Sequence, residues 1–121
     1  MPGSNRDRDV IGRILRYCQQ IEVAHDDFGC SRVRFDQSTT YQNAISMCIL
    51  QIGELVNHLS NDFKDNHTEI PWHKIRGMRN YVAHEYGTID LDVVWTVATD
   101  SIVELRQFCC EYLEQIGRAH V

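Results

Sequence analysis

From Tyr41 to Phe63 the apolar residues recur every three or four positions: Tyr41, Ile45, Cys48, Ile49, Ile52, Leu55, Val56, Leu59 and Phe63. That spacing is the repeat of an α-helix; a strand would alternate. The stripe is wide, so the helix is expected to bury itself against more than one neighbour. The same period returns earlier in Val10, Ile11, Ile14, Leu15, Cys18, Ile21 and Phe28. It returns again late, in Val93, Val94, Val97, Ile102, Leu105, Phe108, Cys109, Tyr112 and Ile116. No strand-like alternation of comparable length competes, and no internal repeat is present. The chain is therefore expected to be all-α: an antiparallel up-down bundle of four main helices, with a short extra helical turn.

Punctuation sets the boundaries. Asp9 is the expected N-cap of the first helix and Gly29 its closing glycine. Cys30 to Gln37 reads as a loop containing Phe35. Ser38 and Thr39 offer the next N-cap, and Lys64 to Glu69 reads as a polar connector. Pro71 suits a helix start, where a missing N–H costs nothing. Gly87 followed by Thr88 stops the third helix, Asp90 or Asp92 begins the fourth, and Gly117 closes it. A chain of 121 residues fits one domain, expected here over residues 9–117. Residues 1–8 are expected to form a flexible N-terminus, and the Met1-Pro-Gly-Ser start is set aside as in part a cloning remnant.

Composition narrows the function classes. With 43% hydrophobic and 24% charged residues, the chain has the makeup of a globular domain. No apolar run approaches the ~20 residues of a membrane span, and the polar first residues do not make a signal peptide, so a cytoplasmic protein is expected. The net charge of −5 argues against broad nucleic-acid binding and leaves room for a small local basic site. The five cysteines form no CxxC pair. Cys18, Cys48 and Cys109 fall at apolar positions and read as buried thiols. His58, His67, His73 and His84 share no ligand spacing with carboxylates, so no metal site and no cofactor is expected. His25, near the end of the first helix, reads as solvated or as complementing the helix dipole, and His67 reads as exposed.

Within the apolar middle of the second long helix stands Ile52-Gly53-Glu54-Leu55. Gly53 costs a helix ~1 kcal/mol relative to alanine but permits close approach of another backbone. Glu54 beside it either pairs with a basic residue of the neighbouring helix or is simply solvated.

Most of the chemistry-bearing residues lie in Arg76-Gly-Met-Arg79-Asn80-Tyr81-Val82-Ala83-His84-Glu85-Tyr86. At ~100° per residue Ile75, Met78 and Val82 fall on one side of a helix, and Arg76, Arg79, Asn80 and His84 on the other. Two guanidiniums, a carboxamide and an imidazole thus share one face. Arginine offers fork-shaped donors to phosphate oxygens, and histidine exchanges protons near neutral pH. Spacing alone leaves a solvated surface as the simpler reading.

Arg79-Asn80-Tyr81-Val82-Ala83-His84 matches the Arg-x4-His motif of the HEPN superfamily. Ile52-Gly53-Glu54, Pro71-Trp72, Gly77-Met78-Arg79-Asn80, His84-x-Tyr86 and Val94-Trp95 follow in the order of the HepT-like family. The chain resembles that family from about Val10 to Tyr112. The resemblance implies a HEPN-like helical domain and the toxin of a type II or type VII-like toxin–antitoxin module, acting as a metal-independent endoribonuclease. It implies Arg79 and His84 as catalytic residues, with Asn80 and Arg76 supporting them at the phosphate. It implies a homodimer with two motifs around one cleft, and a minimal nucleotidyltransferase as antitoxin partner that transfers AMP to Tyr86. The alternative is a non-catalytic helical dimer that binds or regulates such a nucleotidyltransferase. One geometric point bears on the choice: residues five apart point ~140° apart on a helix, so Arg79 and His84 converge more readily across a two-fold axis than within one chain.

Overall fold

A computed structural model describes residues 5–82 and 90–119. The regular elements among the described residues are all helical, with no strand among them. The order is α1 (Asn5–Phe28), α2 (Arg32–Gln37), α3 (Thr39–Val56), α4 (Asn61–Asn66), α5 (Trp72–Gly77), α6 (Arg79–Val82), α7 (Leu91–Thr96) and α8 (Ile102–Ala119). A π-helical turn, Val97–Ser101, joins α7 to α8. α1, α3, the α5–α6 pair and the run from α7 through α8 are the four main helices of the bundle.

Side-chain pairs between elements give their directions. The C-terminal end of α1 meets the N-terminal end of α3 through His25 and Tyr41, whose hydroxyl contacts the His25 Nδ1. The N-terminal end of α1 meets the segment after α3, where the Ser60 N–H and hydroxyl donate to the Asp7 carboxylate at 2.8 and 2.7 Å. α1 and α3 are therefore antiparallel. α1 and α8 run antiparallel too. Arg106 donates to Glu22 at 2.6 Å, and His25 Nε2 lies 3.5 Å from the Ala98 carbonyl. Since a carbonyl only accepts, His25 Nε2 carries the proton and Nδ1 accepts from the Tyr41 hydroxyl.

The core is the expected set of stripes. Ile11, Ile14, Cys18 and Ile21 of α1 pack with Ile45, Ile49 and Ile52 of α3 and with Ile102, Leu105 and Cys109 of α8. An aromatic cluster closes each end of the bundle. His25, Phe28, Phe35, Tyr41 and Trp95 meet at one end; Tyr41 stacks on Phe28 and sits edge-on to Phe35. At the other end Phe63, His67, Trp72, Phe108 and Tyr112 pack together, and the Trp72 indole N–H donates to the His67 carbonyl at 2.9 Å.

Several boundaries differ from expectation, each for a local reason. The first helix begins at Asn5, before Asp9. Asp7 is buried and caps nothing of its own; its carboxylate takes two donors from Ser60, whose hydroxyl in turn accepts from the Phe63 N–H and caps α4. Such a charge-assisted contact contributes ~1.5–3 kcal/mol. Residues 32–37 form a helix rather than a loop. Ser31 caps it, the Arg32–Asp36 ion pair spans one turn, and the fully buried Phe35 anchors it. The long second helix ends at Val56, so that Leu59 and Phe63 reach the core from a turn and from α4. His25 and His67 are half-buried among aromatic rings rather than exposed. α8 runs past Gly117 to Ala119. Gly29, at φ +75°, does end α1, and Ser38 caps α3 by accepting from the Tyr41 N–H.

The thiols divide by burial. Cys18, Cys48 and Cys109 are buried, Cys110 is half-buried and Cys30 is exposed. Burial pushes the Cys48 thiol up to about 11 and that of Cys109 up to about 12, and raises Cys18 as well, so these three stay protonated at neutral pH. Alkylation of the native chain at pH 8, read by mass spectrometry, should label Cys30 first and Cys110 more slowly. Cys18, Cys48 and Cys109 should react only on unfolding, and fast labelling of Cys18 in the folded chain would contradict this core.

Candidate active site

The site forms where α6 lies against α3. Gly53 is buried in α3. A methyl group placed on it would stand 3.1 Å from the Arg79 Cβ and 3.4 Å from the Arg76 carbonyl oxygen. The missing side chain is therefore what lets the two backbones come this close. The next residue, Glu54, accepts a hydrogen bond and ion pair from the Arg79 guanidinium. Glycine and acid act together: one sets the distance between the helices, the other fixes the arginine that arrives there.

Magnitudes decide what this pair does. The Arg79 and Glu54 side chains are 38% and 44% exposed. A pair so open to water contributes only ~0.2–1 kcal/mol to stability. Its larger effect is orientation. One N–H of Arg79 is committed to Glu54, and the fork keeps further donors for a second anion.

Local sequence explains the rest. α5 ends at Gly77, and the Met78 N–H bonds back to Ile75 at 3.1 Å, a tightened joint before α6 begins at Arg79. The third helix is thus two short helices, and the uniform 100° reading holds only in part. Ile75 and Met78 are buried as the apolar face requires. Arg76 and Asn80 are exposed, while Arg79 turns toward α3. The cationic face is not without a counter-charge, as its own residues suggest; the counter-charge comes from α3.

His84 and Tyr86 lie outside the described residues. The structure thus brings together Glu54, Arg79, Asn80 and Arg76. Among the described residues an open cleft of about 890 Å³ borders the site, lined by His73, Lys74, Met78, Asn80, Asp90 and Thr96 among others. Spacing passes over His73 and Lys74. The signal that finds them is charge distribution: from Ile70 to Val82 the chain carries Lys74, Arg76 and Arg79 with no acid, although its net charge is −5. Asn80 opens onto that cleft, while Glu54 restrains the neighbouring Arg79 guanidinium and leaves its other N–H groups as donors for an anion.

Comparison with known proteins agrees with the sequence motifs. Residues 11–112 match the ribonuclease HepT-like family. A protein of Thermococcus cleftensis named "Probable ribonuclease HepT" is 33% identical over 85 residues, 70% of this chain and 71% of that protein. A protein of Caldanaerobacter subterraneus named "Putative RNase TTE0752" is 34% identical over 64 residues, 53% of this chain and 57% of its own length. One of Methanocaldococcus jannaschii, named "Putative RNase MJ1380", is 29% identical over 56 residues, covering 46% of this chain and 51% of its own length. The alignments thus span between about half and 71% of these relatives. No solved structure matches the chain.

Two glycines separate the site's geometry from helix propensity. Gly12 in α1 has open space where a methyl would go, so Gly12→Ala should raise stability by ~1 kcal/mol. Gly53→Ala gains the same propensity but pushes on Arg79, and overpacking costs ~1–3 kcal/mol. Chemical denaturation should therefore find Gly53→Ala no more stable than wild type. A stabilised Gly53→Ala would show that α6 does not depend on this approach.

Proposed function

We propose, because the chain belongs to the ribonuclease HepT-like family, that it is a metal-independent endoribonuclease and the toxin of a type II or type VII-like toxin–antitoxin module. The observation that carries the reading is the Arg79 guanidinium, set by Glu54 and Gly53 beside Asn80 and Arg76.

RNA carries its own nucleophile. Loss of a proton from the 2′-hydroxyl lets that oxygen attack the adjacent phosphorus. The bond to the 5′-oxygen breaks, that oxygen takes up a proton, and a cyclic phosphate remains. His84 serves as base at the first oxygen or acid at the second, a role worth ~10²–10⁴ in rate. Arg79 stabilises the charge that builds on the phosphorane oxygens. Asn80 and Arg76 hold the phosphate. Glu54 keeps Arg79 from swinging into solvent, so less reorganisation is left for the moment of reaction. In a homodimer, His84 of one chain works with Arg79 of the other.

Control follows from the same charges. A minimal nucleotidyltransferase that transfers AMP to Tyr86 adds bulk and a negative phosphodiester two residues from His84, opposing the RNA phosphates.

The purified chain should cleave RNA in EDTA, and His84→Ala should lose ~10²-fold or more with an unchanged melting temperature. Co-expression with the nucleotidyltransferase should add the mass of AMP and suppress cleavage, and Tyr86→Phe should gain neither. Equal cleavage by wild type and His84→Ala removes the catalytic assignment. An AMP adduct on Tyr86→Phe moves the acceptor elsewhere.

A further inference from the structure

On the face of α5 turned toward α4 lies a second groove, of about 360 Å³. Val56, Ile70 and the buried Trp72 form its floor, and Lys64, His73 and Arg76 stand along it. Among the described residues the ion pairs use Arg32, Arg79, Arg106 and His67, and none holds Lys64 or Arg76. One acid, Asp65, lines the same groove. His73 lines both this groove and the cleft beside Asn80, so the two lie on either side of one side chain.

We propose that this groove is the track of the RNA strand leaving the cleavage site, with Lys64, His73 and Arg76 meeting backbone phosphates of the flanking nucleotides. Three considerations favour an RNA backbone. The cations follow one another away from Arg79 and Asn80 and do not form an isolated patch. The floor is closed by Trp72, whose ring is buried and cannot stack on a base, so the groove reads charge and not sequence. His73 and Arg76 also sit in the acid-free stretch from Ile70 to Val82 of an otherwise acidic chain, and Lys64 joins them across the groove from α4, so a polyanion is attracted here. Asp65 sets a limit on that attraction and gives it a sign that can be tested.

The inference rests on the ribonuclease reading, and the test separates the two. Binding of a single-stranded RNA to the full-length His84→Ala protein is followed by fluorescence anisotropy over a range of salt concentrations, and cleavage by wild type is measured in parallel. Each phosphate contact to a single strand contributes ~0.7 to the slope of log affinity against log salt. Lys64→Gln should weaken binding several-fold and lower that slope by about this amount, with an unchanged melting temperature. Asp65→Asn should tighten binding. If wild type cleaves RNA while Lys64→Gln and Asp65→Asn bind with unchanged affinity and slope, the track is wrong and the ribonuclease reading stands. If those substitutions instead weaken only the complex with the nucleotidyltransferase, the groove is a protein interface and the track is overturned. If wild type neither binds nor cleaves RNA, both readings fall.

Discussion

The close approach of α6 to α3 at Gly53 is the contact on which the site depends. A helix interior is an unfavourable place for glycine, at ~1 kcal/mol against alanine. Here the cost has a return in geometry, since the Arg79 Cβ stands only 3.1 Å from where a Cβ on Gly53 would be. The distance places Glu54 within reach of the Arg79 guanidinium, and that partly solvated pair adds little to stability. What it does is point an arginine. Arg76 and Asn80 flank that arginine on the exposed side.

The bundle around this contact is held at both ends. Each end is closed by aromatic rings around a half-buried histidine, His25 at one and His67 at the other. Neither belongs to the proposed chemistry. His25 links the end of α1 to Tyr41 and to the carbonyl of Ala98 in the π-helical turn, where the wider winding alters the usual backbone pairing. The Asp7–Ser60 contact ties the start of α1 to the start of α4 in the same way. These clamps hold α3 in place, and α3 in turn holds Arg79.

Much of this was legible from spacing. The four long stripes mark the main helices because period alone separates helix from strand. Gly53 and Glu54 stand out because both interrupt an apolar stripe. What spacing does not show is what depends on distant partners. α2 is too short for a period to register, and only its Ser31 cap and lone Phe35 mark it. His25 and His67 look solvated in sequence because the rings that bury them come from other helices. The counter-charge on Arg79 could be anticipated as a pairing of Glu54, but its partner could not be named before the fold brought α6 to α3. Lys64 joins the cationic groove for the same reason: it lies on α4 and meets His73 and Arg76 only in space.

In the proposed mechanism the arginine held by Glu54 works with a histidine of a second chain. The most direct measurement is the activity of a purified heterodimer with Arg79→Ala in one subunit and His84→Ala in the other, each carrying a different tag. Two-fold symmetry leaves one intact pair of the two, His84 from the first subunit and Arg79 from the second, so about half of the wild-type rate should return while each parent homodimer stays inactive. A heterodimer as inactive as its parents would contradict the account and place both residues in a single chain.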